Sequence, residues 1–426
     1  MILSVFLGSL IGSMVIGMPI AFALLVASAA MMYYLDLFDA QIIAQNLLNG
    51  ADSFPLMAVP FFMLAGEIMN AGGLSRRIVN IAMSMVGHKR GGLGYVAIIA
   101  SCLLASLSGS AVADAAALAA LLVPMMVSAG HSRERSAGLI AAGGIIAPII
   151  PPSIGFIIFG VASGVSISKL FLAGIVPGLM LGAALAIAWW WIARKEVVET
   201  SPKRSRREIA SALMEGSWAL GLPLIIVFGL KFGIFTPTEA AVVAAVYALF
   251  VATVIYKELK LSDLYALILS AAKTTSVVML LVAAAMVSSW LVTIADLPGQ
   301  LVDLLDPFMD NPTLLLLMIM LLIIVVGTVM DMTPTILILT PVLMPTVIQA
   351  GIDPVYFGVL FLINTAIGLI TPPVGTVLNV VCGVSGIQMN EIIRGVWPFL
   401  LAQLLVLLLL VAFPVLVTGP MKLLAG

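Results

Sequence analysis

Gly143-Gly-Ile-Ile-Ala-Pro-Ile-Ile-Pro-Pro-Ser153 is an apolar stretch interrupted by three prolines, and Gly368-Leu-Ile-Thr-Pro-Pro-Val-Gly375 is its counterpart in the second half of the chain. Pro151-Pro152 and Pro372-Pro373 are 221 residues apart, and the same offset joins Pro124 to Pro345, Gly174 to Gly395 and Pro177 to Pro398. Each proline removes an amide donor and clashes with a carbonyl one turn earlier, so a helix entering either stretch must unwind. A break repeated at a fixed offset within apolar surroundings points to duplicated halves whose freed backbone holds something.

The surroundings are those of a membrane. Of 426 residues 62% are hydrophobic and 9% charged, and the mean hydropathy is +1.24, outside the range of soluble domains. Apolar runs recur from Met1 to Leu35, Leu170 to Ile192 and Pro398 to Leu416, each long enough for a hydrocarbon core about 30 Å thick. The short alternation of an outer-membrane strand is missing, so the chain reads as an all-α polytopic membrane protein. No Lys or Arg precedes Arg76, so the first apolar segment is expected to remain as a membrane helix. Cys102 and Cys382 lie in apolar runs and read as packing residues. His88 and His131 read as surface residues of short basic loops, and Trp189-Trp190-Trp191 before Arg194-Lys195 as an interfacial belt.

Charge sets the topology. Basic residues gather at Arg76 to Arg90, at Arg133 and Arg135, from Arg194 to Arg207, at Lys257 and Lys260, and at Arg394. All of these become cytoplasmic if the segment Gly91 to Gly130 is a hairpin re-entering from that side, with its tip at Ala105-Ser-Leu-Ser-Gly-Ser110. Its counterpart, Pro312 to Gly351, is flanked by Asp296, Asp303, Asp306, Asp310 and Asp353 without a Lys or Arg. It reads as a hairpin from the opposite side, with its tip at Gly327-Thr-Val-Met-Asp-Met-Thr-Pro334. Full spans are then expected at roughly 2–34, 55–70, 134–162, 169–193, 209–230, 237–256, 265–294, 354–383 and 395–418. The amino terminus is placed inside and the carboxyl terminus outside. Gln41–Asn49 and Leu74–Val86 suit helices lying in the interface. The polar loop Glu196–Glu208 divides the halves, and the crossing after it inverts the second repeat.

Ser106, Ser108, Gly109 and Ser110 interrupt the first tip, and Gly327, Thr328 and Asp331 the second. Free carbonyls of an unwound helix beside such hydroxyls make a neutral oxygen cage, the ligand set a hard monovalent cation such as Na⁺ accepts. One cage per half is the expectation. Small residues at a tip also fit plain helix contact, and a single break also fits a kink. Ser110, Asp114, Ser153, Asp331 and Thr333 are the candidate contacts for a polar solute, with cation attraction or helix capping as the alternatives for the two carboxylates. Glu67, Lys231, Glu239 and Lys273 read as anchors or structural pairs near span ends. No phosphate loop or dinucleotide fingerprint is present, and no residues are placed for catalysis, so the chain reads as a carrier rather than an enzyme. A channel, a proton-coupled carrier with Asp331 as relay, and an intramembrane hydrolase using Ser110 or Asp114 are the other classes.

Ser106-Leu-Ser-Gly-Ser-Ala-Val-Ala-Asp114, the two broken stretches and Thr236-Pro-Thr-Glu-Ala240 stand in an order that resembles the large membrane subunit of tripartite ATP-independent periplasmic (TRAP) transporters. The resemblance spans nearly the whole chain and is nearest to the branch serving sialic acid and sugar acids such as diketogulonate. It implies an elevator-type protein, with a scaffold in 1–90, 166–294 and 391–426 and a transport domain in 91–165 and 295–390 that carries each hairpin and broken helix. It implies Na⁺ as the coupling ion, held around Ser106, Ser108, Gly143 and Pro148 in one half and Gly327, Gly368, Thr371 and Val374 in the other. No other cofactor and no nucleic acid is implied. Its expected setting is the lipid bilayer of the bacterial inner membrane, where the chain imports an organic acid, sialic acid foremost, with another sugar acid or a C4-dicarboxylate as the alternative. Its expected partners are a four-helix small membrane subunit on a separate polypeptide and a periplasmic binding protein that delivers the solute.

Overall fold

The computed structural model describes residues 2–425 apart from 197, 199–201, 298, 301, 303–307 and 310; Asp303, Asp306 and Asp310 of the acidic flank lie outside the described residues. Every regular element among these is helical. The first half runs α1 (Ile2–Val15), α2 (Ile20–Tyr34), α3 (Ala40–Ala51), a 3₁₀ turn leading into α4 (Ala58–Ala71), and α5 (Leu74–Val86). The first hairpin follows as α6 (Gly92–Ser108) and α7 (Ala111–Ser128), the first broken helix as α8 (Arg133–Gly144) and α9 (Ile154–Ser163), and then α10 (Ile167–Ala193). Three long helices connect the halves: α11 (Arg206–Lys231), α12 (Pro237–Phe250) and α13 (Leu264–Ile294). The second half repeats the plan with hairpin α14 (Pro312–Gly327) and α15 (Met332–Gln349), broken helix α16 (Pro354–Gly368) and α17 (Thr376–Ser385), then α18 (Met389–Ala412) and α19 (Val415–Ala425).

Packing is reciprocal between the halves. Hairpin arm α7 lies against α17 of the other repeat, and its equivalent α15 lies against α9. Such an exchange is what two inverted repeats related by a pseudo-twofold axis produce. Both broken helices sit at the centre. From Ser136 to Gly144 and from Val355 to Gly368 every residue is buried. Lipid offers no hydrophobic drive for helices to associate, so close backbone approach through small residues supplies the contact. Gly138 of α8 and Gly395 of α18 face each other backbone to backbone, and Gly174 of α10 meets the carbonyl of Ile149 in the first break. The repeated Gly174 and Gly395 are therefore crossing points where a Cβ has no room. Single polar side chains add interhelical bonds: Gln403 Nε2 donates to the Ala142 carbonyl at 2.8 Å, and Asn364 Nδ2 to the Met320 carbonyl at 2.6 Å. Each contributes on the order of 1 kcal/mol.

Local chemistry sets the boundaries. Ser132, Ser153, Ser166 and Asp353 cap the helices that follow them. The motif Thr236-Pro-Thr-Glu239 is a capping box: Glu239 accepts from the Thr236 amide at 2.8 Å while Thr236 Oγ1 accepts from the Glu239 amide at 3.3 Å. The amphipathic helices over 41–49 and 74–86 are present as α3 and α5.

Eight described helices are long and apolar enough to cross a bilayer: Phe54–Ala71, Ala111–Ser128, Ile167–Ala193, Arg206–Lys231, Pro237–Ile255, Leu264–Ile294, Met332–Gln349 and Met389–Ala412. Length alone admits hairpin arms α7 and α15 to that set, while the pieces of each broken helix, α8 with α9 and α16 with α17, are individually too short for it.

Several expectations are corrected. The span placed at 2–34 is two helices, because Gly17 at φ 88° ends α1 and Pro19 starts α2; the pair packs together. The last span ends at Ala412, not 418, since Phe413 leaves the helical region ahead of Pro414. His131 is buried rather than solvated, with Nδ1 2.6 Å from Glu196 Oε2 and its ring 5.1 Å from that of Trp189. Trp189 is fully buried and donates to the Gly91 carbonyl at 2.8 Å, so only Trp190 and Trp191 form the belt, with Arg194 over both rings.

Candidate functional site

The proline positions decide which carbonyls are released. An α-helical carbonyl accepts from the amide four residues on, so Pro148, Pro151 and Pro152 remove the donors for Gly144, Ala147 and Pro148. Gly144 takes the Ala147 amide instead at 3.1 Å, and Pro148 takes the Ser153 hydroxyl at 2.5 Å. Among the described residues no backbone amide outside the regular helical ladder reaches the Ala147 carbonyl. In the second break Pro372 and Pro373 remove the donors for Gly368 and Leu369, which accept from Thr371 at 3.0 Å and Val377 at 3.1 Å. The 151–152 and 372–373 peptide bonds are both cis.

Each hairpin tip touches the break of its own repeat. At the first tip Gly109 turns at φ 61°, and a Cβ there would lie 2.8 Å from the Pro152 carbonyl oxygen. At the second, a Cβ on Gly368 would lie 2.8 Å from the Cα and C of Gly327, and the Gly375 amide donates to the Thr328 carbonyl at 3.4 Å. Behind the first tip Ser108 donates to Asp114 Oδ1 at 2.5 Å and accepts from the Ser110 amide at 3.1 Å. Asp114 is 4% exposed, and among the described residues its Oδ2 has no hydrogen-bond partner; neither has Ser101 Oγ, which faces Gly143. Orphaned buried oxygens beside an unwound helix fit a cation better than they fit empty space. In the second half Asn364, at the position equivalent to Gly143, leaves its Oδ1 unpartnered.

Between the tips lies a cavity of about 320 Å³. The first tip lines it with Gly109, Ser110, Ala111 and Val112, and the second with Asp331, Met332 and Thr333. Pro148, Ile154, Gly155 and Leu369 come from the breaks, and α4 and α13 close the far side with Met63, Thr274, Val277 and Val278. Ser110 and Val112 also line a cleft of about 350 Å³ with Ser108, Glu67 and Asn70. Among the described residues no Lys or Arg lines this cavity; instead the N-termini of α7, α9 and α15 converge on it. First-turn amides have no intrahelical acceptor and carry the positive end of the helix dipole, so three such ends favour an anion. Asp331 places its carboxyl group at the same rim.

Of the residues singled out from sequence, Ser110, Pro148, Asp331 and Thr333 meet in the cavity, while Gly327 and Gly368 meet each other. Ser106 bonds back to the Leu103 carbonyl at 2.6 Å. Asp114 and Ser153 lie behind the cavity, Ser153 spending its hydroxyl on Pro148 and on the cap of α9. Thr371 bonds to Ile367 at 2.8 Å, and the Val374 carbonyl accepts from Asn379 at 3.0 Å. The wall of Met63, Glu67 and Thr274 escaped the sequence reading. Glu67, read as an anchor, accepts from Ser270 at 2.9 Å and faces the first tip.

Inverted halves, re-entrant hairpins and a shared central cavity define a membrane carrier. The family model described as "Tripartite ATP-independent periplasmic transporter, DctM component" matches residues 7–416. The chain belongs to this family of large permease subunits. It is 60% identical over 418 residues to the 2,3-diketo-L-gulonate TRAP transporter large permease protein YiaN of Escherichia coli, covering 98% of each. It is 42% identical to the sialic acid TRAP transporter large permease protein SiaM of Vibrio cholerae, covering 95% of each. The crystal structure of the Alcanivorax borkumensis YdaH transporter, described as having an unusual topology, superposes with a TM-score of 0.67 at 15% identity, over 90% of this chain and 91% of that one.

Proposed function

We propose that this permease couples inward Na⁺ movement to import of a sugar-acid anion across the bacterial inner membrane. The observation that carries the reading is the cavity where three helix N-termini meet without a basic side chain. Such a site favours a carboxylate through backbone dipoles, yet Asp331 opposes an anion arriving alone. Cations held at the two tip-and-break contacts offset that charge, which couples the fluxes. At 100 mV each Na⁺ entering contributes about 2.3 kcal/mol from the potential.

In this reading Ser106, Ser108, Gly143 and Pro148 surround one ion and Gly327, Gly368, Thr371 and Val374 the other. Segments 91–165 and 295–390 move as the transport domain of an elevator, and 1–90, 166–294 and 391–426 stay as the scaffold. Partners are a small membrane subunit and a periplasmic binding protein that hands over the solute. The 60% relative is named for 2,3-diketo-L-gulonate and the 42% relative for sialic acid, so diketogulonate comes ahead of sialic acid as the solute to test.

The test is uptake of labelled diketogulonate into proteoliposomes holding both membrane subunits, with the binding protein outside. Uptake is expected under an inward Na⁺ gradient and to fall to background when K⁺ replaces Na⁺. Equal uptake in the two salts refutes Na⁺ coupling.

A further inference from the structure

A second cavity, of about 450 Å³, opens far from the hairpin tips. Arg76, Arg77 and Asn80 of interfacial helix α5 line it together with Arg204, which precedes α11, and Glu215 of α11. Its apolar wall is Val79, Met83, Leu121 and Met125, the last two from the second half of α7. The charged groups differ in how far they are committed. Arg77 is held 2.7 Å from Glu258 and 3.7 Å above the Tyr256 ring, so it serves the packing of α5. Arg76 also reaches Glu258, at 3.0 Å, but its side chain is 71% exposed. Among the described residues Arg204 donates to the neutral Asn80, at 2.8 Å, and also lies within electrostatic reach of the exposed Glu208 carboxylate. Three guanidinium groups against Glu215 and Glu258 leave one net positive charge, and of the residues adjoining Arg204 in sequence Lys203, Arg206 and Arg207 outnumber the acidic Glu208.

We propose that this cavity seats an anionic phospholipid of the leaflet bearing the basic loops, its phosphodiester on Arg76 and Arg204 and the start of an acyl chain on Val79, Met83, Leu121 and Met125. Guanidinium groups suit phosphate because their fork of donors matches two oxygens. The apolar wall distinguishes a lipid from free phosphate, which has nothing to set against four hydrophobic side chains. Position agrees with the chemistry. An amphipathic helix in the interface holds its basic face at headgroup depth, and basic pockets between membrane helices on the cytoplasmic side take acidic headgroups. The occupant bridges α5 and hairpin arm α7, which have the cavity between them.

The experiment is native mass spectrometry of the full-length protein in detergent, titrated with phosphatidylglycerol, phosphatidylcholine or inorganic phosphate. Phosphatidylglycerol is expected to be retained roughly tenfold more tightly than phosphatidylcholine. The Arg76→Gln/Arg204→Gln double variant is expected to lose that preference while melting as the wild type does in phosphatidylcholine; if the double variant unfolds, Arg204→Gln alone carries the comparison. Equal retention of the two lipids overturns the proposal, as does an unchanged preference in the Gln variants. Displacement of phosphatidylglycerol by an equal concentration of inorganic phosphate also overturns it, by showing a small-anion site.

Discussion

Gly368→Ala is expected to lower solute uptake by roughly 100-fold while the protein still folds and inserts. The added Cβ would sit 2.8 Å from both Cα and C of Gly327 and 3.0 Å from its carbonyl oxygen. These are backbone atoms that no rotamer change can move, so the second tip must shift off the second break. The shift falls where α14 and α16 end, which spares the helical ladders but opens the cage that both elements are proposed to form. The reverse substitution gives a graded control, because a Cβ on Gly327 would lie 3.3 Å from the Gly368 Cα, a contact that yields to a small displacement. Gly327→Ala is therefore expected to retain more uptake than Gly368→Ala. Gel filtration and uptake measured on the same preparations decide the matter: full activity in Gly368→Ala removes this contact from the mechanism.

The largest loss of stability is expected from Gly395→Ala. Its Cβ would lie 1.9 Å from the Glu134 carbonyl oxygen and 2.4 Å from its carbon, where α18 crosses the start of α8. The contact is mutual, since a Cβ added to Gly138 would lie 2.5 Å from the Gly395 carbonyl carbon. Two helix backbones must separate, which also stretches the nearby bond from Gln403 to Ala142. The cost is expected to be about 3 kcal/mol, read as a melting temperature lowered by roughly 5 °C in detergent. Gly383→Ala is the control, since nothing lies within 4 Å of a Cβ at that helical position. A Gly395→Ala protein that melts with the Gly383→Ala protein contradicts the crossing.

The repeat was legible because proline and glycine act through the backbone, and their effect shows in sequence without knowledge of neighbours. The 221-residue offset located both breaks and the crossing glycines Gly174 and Gly395, and the charge of the flanks located both tips. Gly17-Met-Pro19 was passed over because hydropathy continues through it, and hydropathy reports solvent rather than chain direction. The Phe413-Pro414 break failed for the same reason. Trp189 and His131 were assigned by the company they keep in sequence, belt residues and basic loops, whereas burial in three dimensions decides their role. In the site, Ser110, Pro148, Asp331 and Thr333 were found as polar or helix-breaking residues in apolar runs. Glu67 and Thr274 carry the same local signal, but only the packing of α4 and α13 against the tips gives them a place in the site. The N-cap residues Ser110, Ser153 and Asp331 mark helix starts in the sequence, but only packing brings those three N-termini to one cavity.

The central claim is that each tip-and-break pair holds a coupling cation, and the ratio of Na⁺ to solute tests it most directly. In proteoliposomes carrying the complete transporter, the membrane potential at which net solute flux reverses at fixed Na⁺ and solute gradients gives that ratio. The account predicts one Na⁺ for each of the paired breaks per solute moved. A flux indifferent to Na⁺, or a single Na⁺ per solute, would contradict it.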